Sequence, residues 1–289
     1  MDSSLHRRVG HKPAPAVLVL PQRSRRRRRW DHVRRWALLL AGVPLLLLLL
    51  LPILALVVRT PPALLAHYLG SSGTVQAVGL SLGTSIAATL SVALLGTPLA
   101  HMLARRRFHG RRLLEALIDL PTVLPPAVAG LGLLMVFGRR GLLGSWLQSF
   151  GVEIAFTPLA VVLAQIFVAA PYYVKTASIG LTGVSVELEQ AAGLDGAGPL
   201  QVFRHITLPL AWRSLIGGMA LCWARALGEF GATIIFAGNY PGRTQTMPLA
   251  VYLGFEIELE QALTLAVILL AFSFGILFTI RALLRDEAE

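Results

Sequence analysis

Residues Leu188–Pro209 read LEQAAGLDGAGPLQVFRHITLP. Long apolar runs flank this polar segment, so it marks a place where the chain leaves and re-enters an apolar medium. Periodicity predicts a helical turn or two over Glu189–Leu194 and a sharp break at Asp195-Gly196-Ala197-Gly198-Pro199. A second short helix is expected over Leu200–Ile206. Ala191 and Ala192 set small side chains on one helix face, where another surface can come close. Gly196 permits backbone angles that other residues resist. The expected product is a compact helix–turn–helix knob at the membrane surface, suited to docking. The plainer alternative is an ordinary amphipathic loop between two spans.

The composition agrees with a membrane setting. The 289 residues are 55% hydrophobic and 14% charged, against roughly 25% charged in soluble domains. Several apolar runs exceed about 18 residues, the length that crosses a bilayer as a helix. The expected fold class is an all-α polytopic membrane protein with six transmembrane helices. Residues 1–35 hold 11 Lys/Arg and 2 Asp/Glu, a net +9; the remaining 15 basic and 13 acidic residues bring the total to +11. The basicity therefore belongs to one tail. That tail, rich in Arg, Pro and Ser with Arg25–Arg29 unbroken, reads as disordered, cytoplasmic and held against anionic lipid. Beside a membrane span this is preferred to nucleic-acid binding.

Two absences exclude whole classes. The two lysines, Lys12 and Lys175, do not follow glycine, so no phosphate-binding loop exists, and if transport is driven by ATP another chain must bind it. No Cys, His, Asp or Glu cluster has metal-ligand spacing, and no nucleophile–base set points to an enzyme. Cys222, the single cysteine, lies in an apolar run as a small packing residue.

Six spans are expected. Trp36–Val58, 23 residues, would extend about 35 Å as a helix. A signal peptide or an organelle transit segment competes there, but the run is long and lacks a small-residue cleavage site. Thr74–Leu103 is rich in Gly, Ser and Thr, which favours close helix packing in lipid. Five arginines in the loop Arg105–Arg112 place it inside. Leu113–Phe137 carries Pro121, Pro125 and Pro126 and must bend or break, for pore lining or for packing. Thr157–Leu181, Leu210–Phe230 and Ala262–Leu284 complete the set, with both termini cytoplasmic and the knob inside.

The fifth span contains Arg225 and Glu229, four apart and on one helix face. Charges in a span are functional candidates by default. The pair reads either as a polar gate for an anion or as a mutually neutralised link between helices. A Gly- and Thr-rich break follows, with Thr233, Asn239, Thr244 and Gln245 as hydrogen-bonding candidates along a path. Glu256, Glu258 and Glu260 form an acidic outer edge, read as a solvated loop.

The knob resembles the E-A-A-x3-G-x9-I-x-L-P signature of the membrane subunits of ATP-binding-cassette importers. Gln190-Ala191-Ala192, Gly196, nine residues from Ala197 to His205, and Ile206-Thr207-Leu208-Pro209 carry the match. Gln190 stands where the family often has glutamate, and the adjacent Glu189 is expected to take its place. Leu120–Gly130, the run from Phe137 to Gly144, and Arg225–Tyr252 resemble the oxyanion branch, molybdate permeases in particular. Across roughly residues 70–285 the resemblance implies a type I importer permease fold. It makes the knob a coupling helix seated in a groove of the ATPase, with Glu189, Gln190, Ala191, Ala192, Asp195, Gly196, Ile206 and Pro209 as its residues. It also implies a homodimer, two ATPase subunits carrying ATP and Mg, an extracytoplasmic oxyanion-binding protein, and a bacterial inner membrane. No cofactor is expected on this chain itself. The implied function is ATP-driven import of molybdate or tungstate. A sulfate or thiosulfate permease shares the mechanism. An ATP-independent secondary anion transporter would leave the knob unexplained and would favour inverted repeats, of which the sequence shows none.

Overall fold

The computed structural model describes residues 25–285. The tail expected to be disordered lies outside the described residues as far as position 24. From Arg25 the chain is helical, so the first helix, α1 (Arg25–Val58), starts eleven residues before the expected span. Arginine is a good helix former, and no glycine or proline interrupts Arg25–Ala41. Residues as far as Leu54 form one compact unit and those from Ala55 a second. The second unit carries everything described below.

Its helices are α2 (Pro62–Leu69), α3 (Ser72–Arg105), α4 (Arg111–Val123), α5 (Pro126–Phe137), α6 (Gly144–Ser149) and α7 (Pro158–Thr182). Then come α8 (Val186–Leu194), α9 (Pro199–Val202), a π-helical turn (Phe203–Thr207), α10 (Leu208–Leu227), α11 (Gly231–Phe236), α12 (Met247–Ile257) and α13 (Leu259–Arg285). Among the described residues five helices are long and apolar enough to cross a membrane, and the pair α4–α5 brings the number to six if counted as one span.

That pair is bent by 113° at its break. Two consecutive prolines cause it: Pro125 and Pro126 cannot continue the hydrogen-bond ladder, and Leu124 is pushed to extended backbone at ψ 135°. The fifth expected span is one continuous helix, α10, which ends at Leu227, three residues before the expected end, and the expected break separates it from the short α11. The stretch expected as a short amphipathic segment is α12.

Helix α7 is the hub, with α3 and α10 along its two main faces. Small residues make this possible. A Cβ on Gly96 of α3 would stand 3.0 Å from the Tyr173 ring, and one on Gly180 of α7 would meet the Ser214 side chain of α10 at 2.1 Å. In lipid such close backbone approach, rather than the hydrophobic effect, drives helix association. The hydroxyls of α3 mostly serve their own helix: Thr84 donates to the Leu80 carbonyl and Thr89 to the Ser85 carbonyl, each at 2.8 Å. Two reach other helices: Thr97 Oγ1 lies 2.6 Å from the Tyr173 hydroxyl of α7, and Ser81 Oγ accepts the backbone N–H of Met247 at 2.6 Å and caps the start of α12.

Helices α5 and α11 cross at the opposite end of α7 from the knob. A Cβ on Gly130 would lie 2.6 Å from the Ala232 carbonyl oxygen, and one on Gly231 would lie 2.6 Å from Pro126 Cβ. The acidic edge is tied rather than only solvated, because the Tyr68 hydroxyl of α2 donates to Glu258 Oε1 at 2.6 Å. That carboxylate raises the Tyr68 phenol to about 12.

Candidate functional site

The knob is built as its sequence demands. Helix α8 ends in paired hydrogen bonds: Ala197 N–H to the Ala192 carbonyl at 3.0 Å, and Gly196 N–H to the Gly193 carbonyl at 3.1 Å. This is the Schellman arrangement, which needs a left-handed residue at its turn. Gly196 supplies it at φ +90°, and a Cβ there would meet nothing within 4 Å. Its requirement for glycine is therefore a backbone requirement. Pro199 opens α9, and Gln201 Oε1 accepts the Gly198 N–H at 2.8 Å. The chain then widens into the π-helical turn, where Leu208 N–H reaches the Phe203 carbonyl. Pro209 explains the widening. It has no N–H for the His205 carbonyl, and its ring needs that carbonyl displaced.

Two adjacent residues of the knob face opposite ways. Gln190 is exposed. Glu189 turns inward, where its Oε1 accepts from Arg105 Nη2 at 2.7 Å and from the Thr207 hydroxyl at 2.6 Å. Arg105 also donates to the Val184 carbonyl at 3.1 Å. Glu189 thus braces the knob between the end of α3 and the start of α10, and it does not take the outward place of the glutamate. Burial opposes its charge, but the bonds from Arg105 and Thr207 and the Arg105 charge outweigh burial and lower its pKa below the usual carboxylate range. Glu187, fully exposed in the first turn of α8, is lowered chiefly by the Ser185 hydroxyl. Ala191, Asp195 and Pro209 are exposed, and Ala192 and Ile206 are half-buried. Beside them two large apolar side chains project outward, Leu194 at 90% exposure and Leu200 at 77%. Sequence periodicity did not single out these leucines, because the break at Asp195 separates them.

At the far end of α10, Arg225 Nη1 lies 2.7 Å from Glu229 Oε2. Glu229 is 1% exposed, and its second oxygen accepts the Ala232 N–H at 2.8 Å. Both carboxylate oxygens are engaged, one neutralising Arg225 and one capping α11. Of the two readings, the arrangement favours the structural link. Thr233 is fully buried in α11. The loop after it is closed by Gly238 and Gly242 at φ +75° and +72°. Thr244 Oγ1 accepts from Tyr240 N–H at 3.1 Å, Asn239 Nδ2 donates to the Leu249 carbonyl at 3.4 Å, and Gln245 is buried. These residues shape the break but do not converge on one cavity. A cavity of about 630 Å³ opens beside them, lined by Arg139, Gln148, Glu153, Phe156, Tyr240 and Arg243. Arg139 pairs with Glu153 at 3.2 Å. The signal for this basin was Arg139-Arg140, inside the run from Phe137 to Gly144; its partner wall lies a hundred residues on.

Apolar helices of membrane length, a polar break at one end and a self-contained outward knob at the other define a subunit of a membrane transport assembly. Residues 93–284, which is 192 of 289, match the family described as binding-protein-dependent transport system inner membrane component. The chain belongs to that family, the permeases of ATP-binding-cassette importers. It is 47% identical over 178 residues to the molybdenum transport system permease protein ModB of Escherichia coli, covering 61% of this chain and 78% of that one. ModB of Mycobacterium bovis is 39% identical over 237 residues, 81% and 89% of the two chains. The probable sulfate transport system permease protein cysT of Nephroselmis olivacea is 33% identical over 249 residues, 85% and 88%. Among solved structures, a bacterial importer of the acidic polysaccharide alginate superposes with TM-score 0.71 at 15% identity, covering 91% of this chain and all of that one. The same transporter bound to its periplasmic protein gives 0.68 at 17% identity, covering 89% and 97%. These structural likenesses concern the fold.

Proposed function

We propose that this chain is the membrane subunit of an ATP-driven molybdate importer that also accepts tungstate. The observation that carries the importer reading is the knob, a rigidly braced, left-handed turn that presents Leu194 and Leu200 at one end of the bundle. Such a knob suits an apolar groove on a partner, here the ATPase that binds ATP and Mg. The arginines of the loop between α3 and α4 lie at the same end, which favours a cytoplasmic knob and cytoplasmic termini in a bacterial inner membrane. Two copies of the chain, two ATPases and one extracytoplasmic binding protein make up the working assembly.

ATP binding draws the two knobs together, and the movement passes through Glu189 and Arg105 into α3 and through the π-helical turn into α10. The path opens outward and the anion enters near the Arg139–Arg243 cavity. Arg225, already balanced by Glu229, holds α11 in place. Molybdate is supported by the molybdenum permease relatives and by the Arg225–Tyr252 passage. The sulfate permease relative favours sulfate as the second reading. Labelled-molybdate uptake by cells expressing the chain with its ATPase and binding protein tests the choice. Block by tungstate but not by excess sulfate supports molybdate; efficient block by sulfate moves the assignment and leaves the docking argument standing.

A further inference from the structure

Lys175 is the one lysine among the described residues, and it stands inside a span. It lies seven residues before Thr182, where α7 ends beside the knob, which is about 10 Å along the axis. Asp119 lies eight residues after Arg111, where α4 starts at the same end, about 12 Å along. Nζ of Lys175 is 2.8 Å from Asp119 Oδ1, so the two groups share one level. With α7 about 37 Å long, centring it on a hydrocarbon core of about 30 Å would put Lys175 inside the core and Asp119 with it.

Two features separate this pair from the Arg225–Glu229 link. It is open, with the lysine side chain 56% and the aspartate 35% exposed. It also joins two helices rather than bracing one turn. The opposite face of α7 at this level is sealed: Ala169, Tyr173, Val174 and Ala177 are buried against α3 and α10. Tyr172, Lys175 and Ile179 form the one exposed stripe at this level. A half-exposed charge in a span costs several kcal/mol against lipid, so this stripe calls for water or a polar ligand. A lysine that merely snorkelled would reach toward the headgroups at the knob end. Lys175 instead reaches across to a carboxylate at its own depth.

We propose that Lys175 contacts the translocated oxyanion on the inner stretch of the path, and that Asp119 is its resident counter-ion. An arriving dianion displaces the Asp119 carboxylate from the ammonium, and the returning carboxylate expels the dianion. A lone cation would hold a dianion too long for transport; a competing carboxylate keeps the contact brief. The inference rests on the oxyanion-importer reading.

The test uses the whole complex in proteoliposomes, with labelled molybdate outside and defined molybdate inside. The double variant Lys175→Met with Asp119→Leu removes both charges, so it keeps the helices neutral; uptake per ATP hydrolysed is expected to fall at least about tenfold, the equivalent of roughly 1.4 kcal/mol. Asp119→Asn leaves Lys175 unopposed; inhibition by molybdate in the lumen is expected to set in at an about tenfold lower concentration. Wild-type import by the double variant, or unchanged lumenal inhibition in Asp119→Asn, would make the pair structural and overturn the proposal. Should the double variant fail to assemble, the Asp119→Asn result decides alone. Wild-type uptake in the same vesicles tests the substrate reading separately: preference for sulfate there shifts the substrate, and the variants are then read with sulfate.

Discussion

Gly196→Val should detach the ATPase while leaving the bundle intact. Gly196 sits at φ +90° with nothing within 4 Å of an added Cβ, so the whole cost of a side chain is backbone strain. Left-handed backbone costs an L-residue roughly 1–2 kcal/mol, and a β-branched residue pays at the upper end. The knob can relieve that strain by giving up the bonds from Ala197 to Ala192 and from Gly196 to Gly193, which undoes the turn between Leu194 and Leu200. Since about 1.4 kcal/mol is a factor of ten, the docking-competent turn should fall to a tenth or less of its normal population. The assay is co-purification of the ATPase with tagged permease, with detergent-extracted permease level as the control for insertion. Gly193→Ala is the internal control, because Gly193 is helical, exposed and open, and alanine there should be neutral or mildly stabilising. Gly196→Asn, which tolerates left-handed backbone, should fall between the two. Wild-type recovery of the ATPase with Gly196→Val, or equal damage from Gly193→Ala, would refute the reasoning.

Gly180→Ala should lower the thermal stability of the purified permease, because its Cβ would lie 2.1 Å from the Ser214 side chain; overpacking of this kind costs about 1–3 kcal/mol, and Ser214→Gly should recover part of it. Arg225→Ala leaves Glu229 buried without its cation and should reduce the protein level; adding Glu229→Gln should restore both level and uptake, and restored level without uptake would assign the pair to the path instead. The lowered pKa of Glu189 makes its brace an acid-sensitive one: its contribution is complete above the ordinary carboxylate value of 4.5 and is lost as pH falls through the lower folded value. Thermal stability of Glu189→Gln should therefore approach that of wild type below that range, and a constant gap from neutral pH downward would contradict the assignment.

Much of this arrangement was legible in the chain. Apolar run lengths placed the spans to within a few residues, and Pro125-Pro126 announced the break in the third. Proline reports that a helix stops, not where the next one points, so the 113° bend and the crossing of α5 on α11 were not readable. In the knob, spacing identified Gly196 and its turn but misjudged Glu189. Neighbouring residues on a helix point about 100° apart, and which one faces inward is decided by Arg105, 84 positions away. Separation along the chain likewise hides the Lys175–Asp119 pair and the Arg139–Arg243 cavity. Each half is an unremarkable charge until the fold joins it to the other. At Arg25–Arg35 composition suggested disorder, whereas local helix preference, unopposed by glycine or proline, continues α1 through it.

ATP-dependent molybdate uptake into proteoliposomes containing this chain, its ATPase and its binding protein is the most direct test of the account. Uptake should require ATP on the knob side, all three components and an intact Gly196, and it should persist when the proton gradient is collapsed. Uptake that proceeds without the ATPase, or that disappears with the proton gradient while ATP remains, would contradict the coupling role given to the knob.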